Sequence, residues 1–477
     1  MNRMPLDQLT EVIKDAFNGV AEIAKSFLTF FIETMILYIG IPKRINFTQM
    51  SRFGDSCECR FRQNFRKGFD WVGYNSGFTS HMDEHHTALA IDQSFIDKSG
   101  KHTLGVGYFW SSCASAARHG LEILDIAVID ADGRNAVHLK AVQTVDTVKA
   151  GRPPRYLAGM KDPNSLMAWY LRALAQDRDA LRKVSDIVVA DAFFSKESFA
   201  NGVTMLGFRL VSCFRSDVGL KYLHTGPRTG KRGRPKEVDG KVYLDNLRTD
   251  VFREESYDDG DGKTATLHTA VVRATSLKRD VRVVGVDCIE PGKKTQARKV
   301  FFSTDTEMSA KDIMDFYRTR FQIEFLLRDG RQHTGLTHCQ FRQKEALAFH
   351  FNMSLTAINE ARAFARQDKR DLSVANVKTL VHNALMLHRF SVLSGKMPNK
   401  RFQRTLILWH RLRGVAIQNL TDYCCIFETT NWSGLTSTNC KMIIFAAWKR
   451  FLTIMSQRKS RPIFMVFLWM KTLTKVV

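Results

Sequence analysis

The sequence is poor in the features that mark non-globular and membrane proteins. Only 10 of its 477 residues are proline, and its glycines show no period of three, which excludes collagen-like and low-complexity chains. Long hydrophobic runs are also missing. The apolar stretch 27–41 is interrupted by Glu33, and the stretch 462–470 is much shorter than the roughly 20 residues that span a bilayer. The N-terminus lacks a basic segment leading into an apolar one, so we expect neither a signal peptide nor a membrane partner.

Cysteine is scarce and scattered. The nine cysteines form no C-x-x-C pair: Cys57 and Cys59 are two residues apart, and Cys424 and Cys425 are adjacent. Such spacings favour neither a disulfide framework nor a zinc site. We therefore expect reduced cysteines in a cytoplasmic protein.

Acidic residues are few compared with basic ones. The chain has 48 Asp and Glu against 71 Lys and Arg, a net charge of +23, and 44% hydrophobic residues, enough to build a core. A charge excess of this size favours an acidic polymer as the partner, and nucleic acid fits best. The alternative is a basic protein whose charge serves only solubility.

The hydrophobic pattern predicts a mixed α/β sheet flanked by helices. Strands are predicted at 87–92, 104–110, 121–128, 186–191 and 208–214, and helices at 163–184, 309–328 and 344–366. The expected order is a helical N-terminal domain (1–75), the first part of the sheet domain (76–216), a β-rich insertion (217–300), the second part of the sheet domain (301–370) and a basic C-terminal region (371–477).

Two short helical patterns lie on either side of Gly54 and predict a helix-turn-helix in the N-terminal domain. The second pattern carries Arg60 and Arg62, which we expect to contact DNA. The alternative is an ordinary helical hairpin with a solvated basic face.

Two acids follow apolar, strand-like segments: Asp92 comes after residues 87–91, and Asp191 after residues 186–190. A carboxylate at the end of a buried strand is unfavourable unless it is paired or binds a cation. Two such carboxylates on neighbouring strands repel each other, and a divalent cation with oxygen ligands removes the repulsion. Holding two ions requires a third acid, which we expect on a helix packed against the same sheet.

Glu324 is the candidate for the third acid. On a continuous helix, Tyr317, Arg320, Glu324 and Arg331 fall within an arc of roughly 60°. The aromatic residues around Glu324 favour a groove over open surface. The alternative is a surface acid paired with neighbouring arginines.

This spacing, Tyr317-x2-Arg320-x3-Glu324-x6-Arg331, resembles the Tyr-Arg-Glu-Lys signature of the IS-four-type insertion-sequence transposases. The segments 90–94 and 188–194, which contain the two aspartates, are similar to those around the family's first two acids. The 133 residues from Asp191 to Glu324 leave room for the family's β-rich insertion. One departure is the arginine at 331, which stands where the family has lysine and follows a glycine.

The resemblance implies an RNase H-like catalytic domain whose triad is Asp92, Asp191 and Glu324. It implies two Mg²⁺ ions, with Mn²⁺ able to substitute, for cleaving the ends of an insertion sequence and joining them to target DNA. It further implies that Tyr317, Arg320 and Arg331 hold phosphates of the cleaved end. A homodimer on double-stranded DNA, associated with the bacterial nucleoid, follows from the same resemblance, and residues after 370 are the expected dimer contact.

A basic run in the expected insertion is similar to those of the family. Its five cations lie within nine residues: Arg228, Lys231, Arg232, Arg234 and Lys236. Such a cluster would neutralise DNA phosphates and make binding salt-dependent. The alternative is a solvated loop.

Two other functions stay open. One is an RNase H-like nuclease without strand transfer, although such a nuclease needs neither the helix-turn-helix nor the insertion. The other is a catalytically inactive DNA-binding remnant of a transposase. The intact acids argue against the remnant, whereas the lack of any family-like pattern after about residue 415 argues for it.

Overall fold

The computed structural model describes residues 5–20, 23–144, 154–157, 160, 162–226, 236–258, 264–288, 297–338, 340–367 and 372–394. Residues 9–375 form one compact unit, and residues 1–8 with 376–477 form another. Of the second unit, only the start of helix α1 (Pro5–Ala16) and most of helix α12 (Val374–Ser394) are described. Among the described residues, no helix is long and apolar enough to cross a membrane. The predicted domain boundaries stay predictions.

The N-terminal part of the larger unit is helical, as predicted. After α1 come α2 (Lys25–Gly40), α3 (Phe47–Phe53), α4 (Glu58–Asn64) and α5 (Trp71–Ser76). The Asn46 side chain caps α3 by accepting from the backbone N–H of Gln49 at 2.8 Å. The two helices predicted around Gly54 are thus present as α3 and α4. A disulfide joins Cys57 and Cys59, contrary to the expectation of reduced cysteines.

The first strands build one half of a large mixed sheet. They are β1 (Thr87–Asp97), β2 (Gly107–Ser111), β3 (Ala116–Asp130), β4 (Asn135–Gln143), β5 (Ile187–Val189) and β6 (Arg209–Cys213). β3 pairs antiparallel with β1, β2 and β4, while β1, β5 and β6 are mutually parallel. The predicted α/β class with a mixed sheet is confirmed.

Three helices connect this half of the sheet: α6 (Leu166–Gln176), α7 (Arg178–Val184) and α8 (Glu197–Met205). The single helix predicted over 163–184 is wrong. Asp177 separates α6 from α7 because its backbone, at φ −117° and ψ 24°, leaves the helical region.

The segment expected to be β-rich does consist of strands. They are β7 (Leu220–Leu223), β8 (Val238–Lys241), β9 (Arg253–Asp258), β10 (Thr264–Ala274), β11 (Arg279–Cys288) and β12 (Ala297–Ser303). These strands continue the same sheet, whose order is β2-β3-β1-β5-β6-β12-β11-β10-β7-β8, with β4 paired to β3 and β9 to β10.

The last helices of the unit are α9 (Ala310–Thr319), α10 (Gln322–His333) and α11 (Lys344–Gln367). The continuous helix predicted over 309–328 is wrong, because the chain tightens between α9 and α10. There, the N–H groups of Ile323 and Glu324 donate to carbonyls three residues earlier, at 3.1 Å each. The residues expected to share one helix face therefore lie on two helices.

Helix α11 packs along β4. The Asn352 side chain accepts from the N–H of Ala141 at 2.8 Å and donates to its carbonyl at 2.9 Å. Asn359 forms the same pair of bonds with His138, at 3.0 and 2.8 Å. These two amides satisfy backbone groups of β4 that would otherwise be unpaired, and so fix α11 and its neighbour α10 against the sheet.

Candidate active site

The first acid, Asp92, lies just beyond the point where the pairing between β1 and β5 ends. Strand β5 pairs with β1 only at Leu89 and Ala90, so β1 continues past the end of its neighbour. The predicted end of the strand at Asp92 is therefore wrong, since β1 runs on to Asp97. Asp92 lies in the strand, at the point where β5 no longer covers its edge.

The second acid follows β5. Asp191 comes two residues after Val189 and accepts from the backbone N–H of Phe193 at 3.0 Å, which caps a single 3₁₀ turn. This cap fixes the carboxylate at the carboxyl end of the strand. Because β1 and β5 are parallel and paired directly before their acids, Asp92 and Asp191 lie at the same edge of the sheet.

The three predicted acids line one cavity. It has a volume of about 920 Å³, and Asp92, Asp191 and Glu324 all contribute to its wall. Glu324 comes from the first turn of α10. Arg320 and Arg331 line the same cavity, so five of the predicted site residues meet there.

Charge repulsion and burial act on the aspartates. Burial, opposed by the charge of Arg320 and assisted by the charges of Asp191 and Glu324, raises the pKa of Asp92 to about 7. Burial also raises the pKa of Asp191, again opposed by Arg320. The carboxylates are therefore close enough to repel one another, and the site favours a bound cation or proton.

Arg320 is the cation that now balances these charges. Its Nη2 donates to Glu324 Oε1 at 2.9 Å, and its guanidinium lies 5.6 Å from the centre of the Tyr317 ring. Its Nε is buried without a hydrogen-bond partner. Tyr317 itself packs on Phe301 and does not line the cavity.

Arg331 is positioned by the glycine that precedes it. Helix α10 continues through Gly330 to His333, and a β-carbon at 330 would lie 2.9 Å from Leu355 of α11. The glycine therefore lets the two helices approach closely. Arg331 Nη2 donates to Ser94 Oγ of β1 at 2.6 Å, which holds its charge at the cavity wall.

The donor set suits a hard divalent cation, because carboxylate oxygens are the ligands that Mg²⁺ and Mn²⁺ prefer. Within the described ranges, however, no three His, Cys, Asp or Glu side chains are already clustered as metal ligands. The ion pair between Arg320 and Glu324 occupies one of the required carboxylates. Binding a cation would require Glu324 to leave Arg320.

The sequence analysis missed two further acids of the cavity, Asp97 at the end of β1 and Glu122. Glu122 of β3 lines it, is nearly buried, and accepts from the hydroxyls of Tyr170 at 2.7 Å and Thr144 at 3.0 Å. A second buried acid of β3, Asp125, binds His138 Nδ1 at 2.7 Å. Both interrupt an otherwise apolar strand, and that interruption is the signal that sequence analysis could have used.

The remaining predicted DNA contacts do not line this cavity. Arg60 donates to Ser56 Oγ at 2.9 Å and to the Ser26 carbonyl of α2 at 3.3 Å, and Arg62 pairs with Glu58 at 3.1 Å, so both have protein partners. Lys236 pairs with Asp239 at 2.5 Å. The other cations of the basic run, Arg228, Lys231, Arg232 and Arg234, lie outside the described residues.

Comparisons with known proteins bear on this site. Residues 171–359 match a family model described as "Transposase DDE domain", and residues 78–260 match one described as "DDE superfamily endonuclease". The first range contains Asp191 and Glu324, and the second contains Asp92 and Asp191. No curated protein matches the chain significantly.

One similar solved structure is a piggyBac transposase synaptic complex with hairpin DNA. It is 12% identical and covers 91% of this chain and 91% of its own, with a TM-score of 0.37. The two family matches support a DDE transposase and, with it, an enzyme of the nuclease type.

Proposed function

We propose that this protein is a DNA transposase of the IS-four type, which cleaves the ends of an insertion sequence and joins them to target DNA. The observation that carries the proposal is the convergence of Asp92, Asp191 and Glu324 on one cavity, where their charges act on one another. Carboxylates that meet in one cavity are typical of sites that bind divalent cations for phosphoryl transfer.

In this proposal, Asp92, Asp191 and Glu324 would hold two Mg²⁺ ions. Bound there, the ions would supply Lewis-acid activation of the attacking oxygen and stabilisation of the leaving oxygen. Mn²⁺ can substitute because it takes the same oxygen ligands.

The chain's own residues then bind and orient the DNA. Arg320, once released from Glu324, remains at the cavity wall with its charge free for a phosphate. Arg331 is held at the cavity wall by Ser94 and offers a second phosphate contact. Tyr317 lies outside the cavity lining and supports Arg320 through the face of its ring.

The strand order supports an RNase H-like catalytic domain as part of the proposal. Three antiparallel strands, β4, β3 and β1, are followed by the parallel β5 and β6, and the two aspartates belong to β1 and the end of β5. Strands β7 to β11 would be the insertion, and α1 to α5 the DNA-binding domain. Double-stranded DNA would be the partner of a homodimer associated with the bacterial nucleoid.

A strand-transfer assay tests the proposal. DNA flanking the gene is first searched for terminal inverted repeats, and the repeats then serve as substrate with Mg²⁺ and a target plasmid. We expect nicking at the repeat ends and joined products, both lost in Glu324→Gln. Nicking without joining would favour an RNase H-like nuclease. Sequence-specific binding without cleavage would favour an inactive remnant. Either outcome overturns the proposal.

A further inference from the structure

A second cavity lies at the end of the sheet opposite the three acids. It has a volume of about 250 Å³ and is lined by residues of β4, of α11 and of the segment after α11. Asn135 of β4 pairs with Asp130 of β3, and Asp130 pairs with Thr87 at the start of β1. Asp92 follows Thr87 by five residues, which corresponds to roughly 17 Å along the strand. This cavity is therefore separate from the candidate active site.

Two arginines of α11 supply the charge of this second cavity. Arg362 and Arg366 are four residues apart, so they lie on one face of the helix, and both line the cavity. No acidic side chain is among the described residues that line it. The other lining residues carry amide or apolar side chains: Asn135, Ala136, Val137, Asn359, Ala365 and Leu372. Such walls exclude water and strengthen the attraction of the two guanidinium groups for an anion.

The protein holds Arg362 in place without using all of its donors. Its Nη1 donates to the Ala136 carbonyl at 2.8 Å, and its Nη2 donates to Asp329 Oδ2 at 3.2 Å. A guanidinium has five N–H donors, so these two bonds leave three for a ligand. Arg362 is thus a fixed donor group at the wall of the cavity.

Arg366 has no hydrogen-bond or ion-pair partner in the part of the chain that the structure describes. Burial and the charge of Arg362 both lower its pKa. Burial also lowers the pKa of Arg362, opposed by the charge of Asp329. Two guanidinium groups that disfavour each other's charge are stabilised by an anion that contacts both.

The nearby acids do not cancel this charge. Asp329 is a single carboxylate shared by Arg328, at 3.2 Å, and Arg362, also at 3.2 Å. Asp130 is buried, and its Oδ1 accepts from two backbone N–H groups of its own turn. Counted together, two carboxylates act here on three guanidinium groups. The excess cation is Arg366.

We propose that Arg362 and Arg366 bind one phosphate group at this second cavity. The cavity is smaller than the sites of about 300–1,000 Å³ that take drug-sized ligands, so its volume suits a single small oxyanion. Phosphate oxygens accept two parallel N–H bonds from a guanidinium, and two guanidinium groups are available. The phosphate belongs either to the DNA backbone or to free phosphate, which share this chemistry. The inference goes beyond the proposed function, because it requires neither a metal ion nor cleavage.

Isothermal titration with inorganic phosphate, at constant ionic strength and without divalent metal, tests the cavity itself. We expect the wild type to bind phosphate more tightly than acetate. Arg366→Ala should weaken phosphate binding by about 10-fold or more, because it removes hydrogen bonds between charged groups. Arg366→Lys keeps the charge but loses the fork, so it should recover part of the affinity. Arg182→Ala is the matched control, since Arg182 is exposed and does not line this cavity.

The salt dependence of DNA affinity identifies the source of the phosphate. A salt slope lowered by about one unit in Arg366→Ala, but not in Arg182→Ala, assigns the phosphate to the DNA backbone. An unchanged slope together with weakened binding of inorganic phosphate assigns it to free phosphate. Neither measurement involves cleavage, so failure of the proposed function would leave both results valid.

Three results would overturn the site. The first is inorganic phosphate binding in Arg366→Ala that equals that of the wild type. The second is equal binding of acetate and phosphate by the wild type. The third is a wild type that does not bind inorganic phosphate, combined with an unchanged salt slope of DNA affinity in Arg366→Ala.

Discussion

Glu324 of α10 and Glu360 of α11 differ in their surroundings: Glu324 is partly exposed at the cavity, whereas Glu360 is fully buried. Burial raises the pKa of Glu360 to about 8, and this side chain is completely buried against Tyr74, whose hydroxyl donates to it. Glu324 keeps 38% of its side chain exposed, lines the cavity and pairs with Arg320. A raised pKa thus marks burial, whereas access to the cavity marks a carboxylate that can meet a substrate.

Asp92 combines the two properties. Its pKa is raised to about 7, chiefly by burial, yet it lines the cavity together with Asp191 and Glu324. In the proposed function, the fold places the Asp92 carboxylate where its charged form is unfavourable unless a cation binds. Glu360 has no comparable access and serves packing alone.

The largest expected difference between the cavity acids and Glu360 is in metal-dependent DNA cleavage. We expect Asp92→Asn, Asp191→Asn and Glu324→Gln each to reduce metal-dependent cleavage by at least about 10²-fold, since loss of even an outer-shell partner of a metal ligand costs 10–100-fold. Glu360→Gln should cleave at a rate close to that of the wild type. The measurement is the rate of nicking on repeat-end DNA, with DNA binding as a check on folding. A strong loss in Glu360→Gln together with normal cleavage in Glu324→Gln would reverse the assignment.

For the free energy of unfolding we expect the opposite order, with a larger loss at Glu360 than at Glu324. Glu360→Ala removes the stronger acceptor of the buried Tyr74 hydroxyl and leaves it only the Ile13 carbonyl at 3.3 Å, so we expect the free energy of unfolding to fall by about 1–3 kcal/mol. Glu324→Ala removes a partly exposed ion pair and should change it by about 1 kcal/mol or less. Urea denaturation of both variants at one pH gives the comparison. An equal loss would mean that Glu324 is also a structural residue.

The pH dependence of stability separates the acids further. Glu360 has an ordinary pKa of 4.5 and a folded pKa of about 8, and Asp92 has corresponding values of 3.8 and about 7. A raised folded pKa gives stability that is present below the ordinary pKa and is lost as pH rises through the folded one. In metal-free buffer, each group should therefore lower the free energy of unfolding by up to about 1.4 kcal/mol per pH unit between pH 5 and 7.

Glu360→Gln and Asp92→Asn each remove one of these contributions. We expect both variants to show a shallower fall in stability than the wild type over this pH range, measured by urea denaturation at several pH values. Asp179→Asn, at a carboxylate whose side chain is 89% exposed, is the control. Parallel curves for the wild type and Glu360→Gln would contradict the burial argument.

The smallest effect is expected at Arg331. Only one of its nitrogens bonds to Ser94, so the side chain keeps donors for a phosphate. Arg331→Ala should weaken DNA binding and lower the salt slope by about one unit, whereas Arg331→Lys should lose only part of the affinity. Arg62→Ala, whose charge is already paired with Glu58, is the comparison. An unchanged salt slope in Arg331→Ala would exclude a phosphate contact.

Much of the fold follows from local patterns in the sequence. The helical period predicted α11 almost to the residue, and the apolar runs predicted β5 and β6. Residues 217–300 were expected to be β-rich, without individual strands being assigned, and β7 to β11 lie there. Local patterns could not place the break between α9 and α10, because the period of apolar residues continues across it. The extension of β1 past Asp92 also depends on pairing with β3, a contact distant in sequence.

The candidate site could likewise be predicted only where local sequence patterns mark its residues. Asp92 and Asp191 stand out because each follows an apolar strand, and Glu324 stands out by its spacing from Arg320. Glu122 was missed because it lies within a strand and reaches the cavity only through the way β3 pairs with β1. The roles of Arg60 and Arg62 in binding DNA stay predictions.

Binding of Mn²⁺ followed by electron paramagnetic resonance, without DNA, tests the central claim most directly. The account predicts that the wild type and Glu360→Gln bind Mn²⁺ in the same way and that Asp92→Asn loses this binding, because the Asp92 carboxylate lines the cavity whereas that of Glu360 does not. Wild-type Mn²⁺ binding by Asp92→Asn, or its loss in Glu360→Gln, would contradict the account.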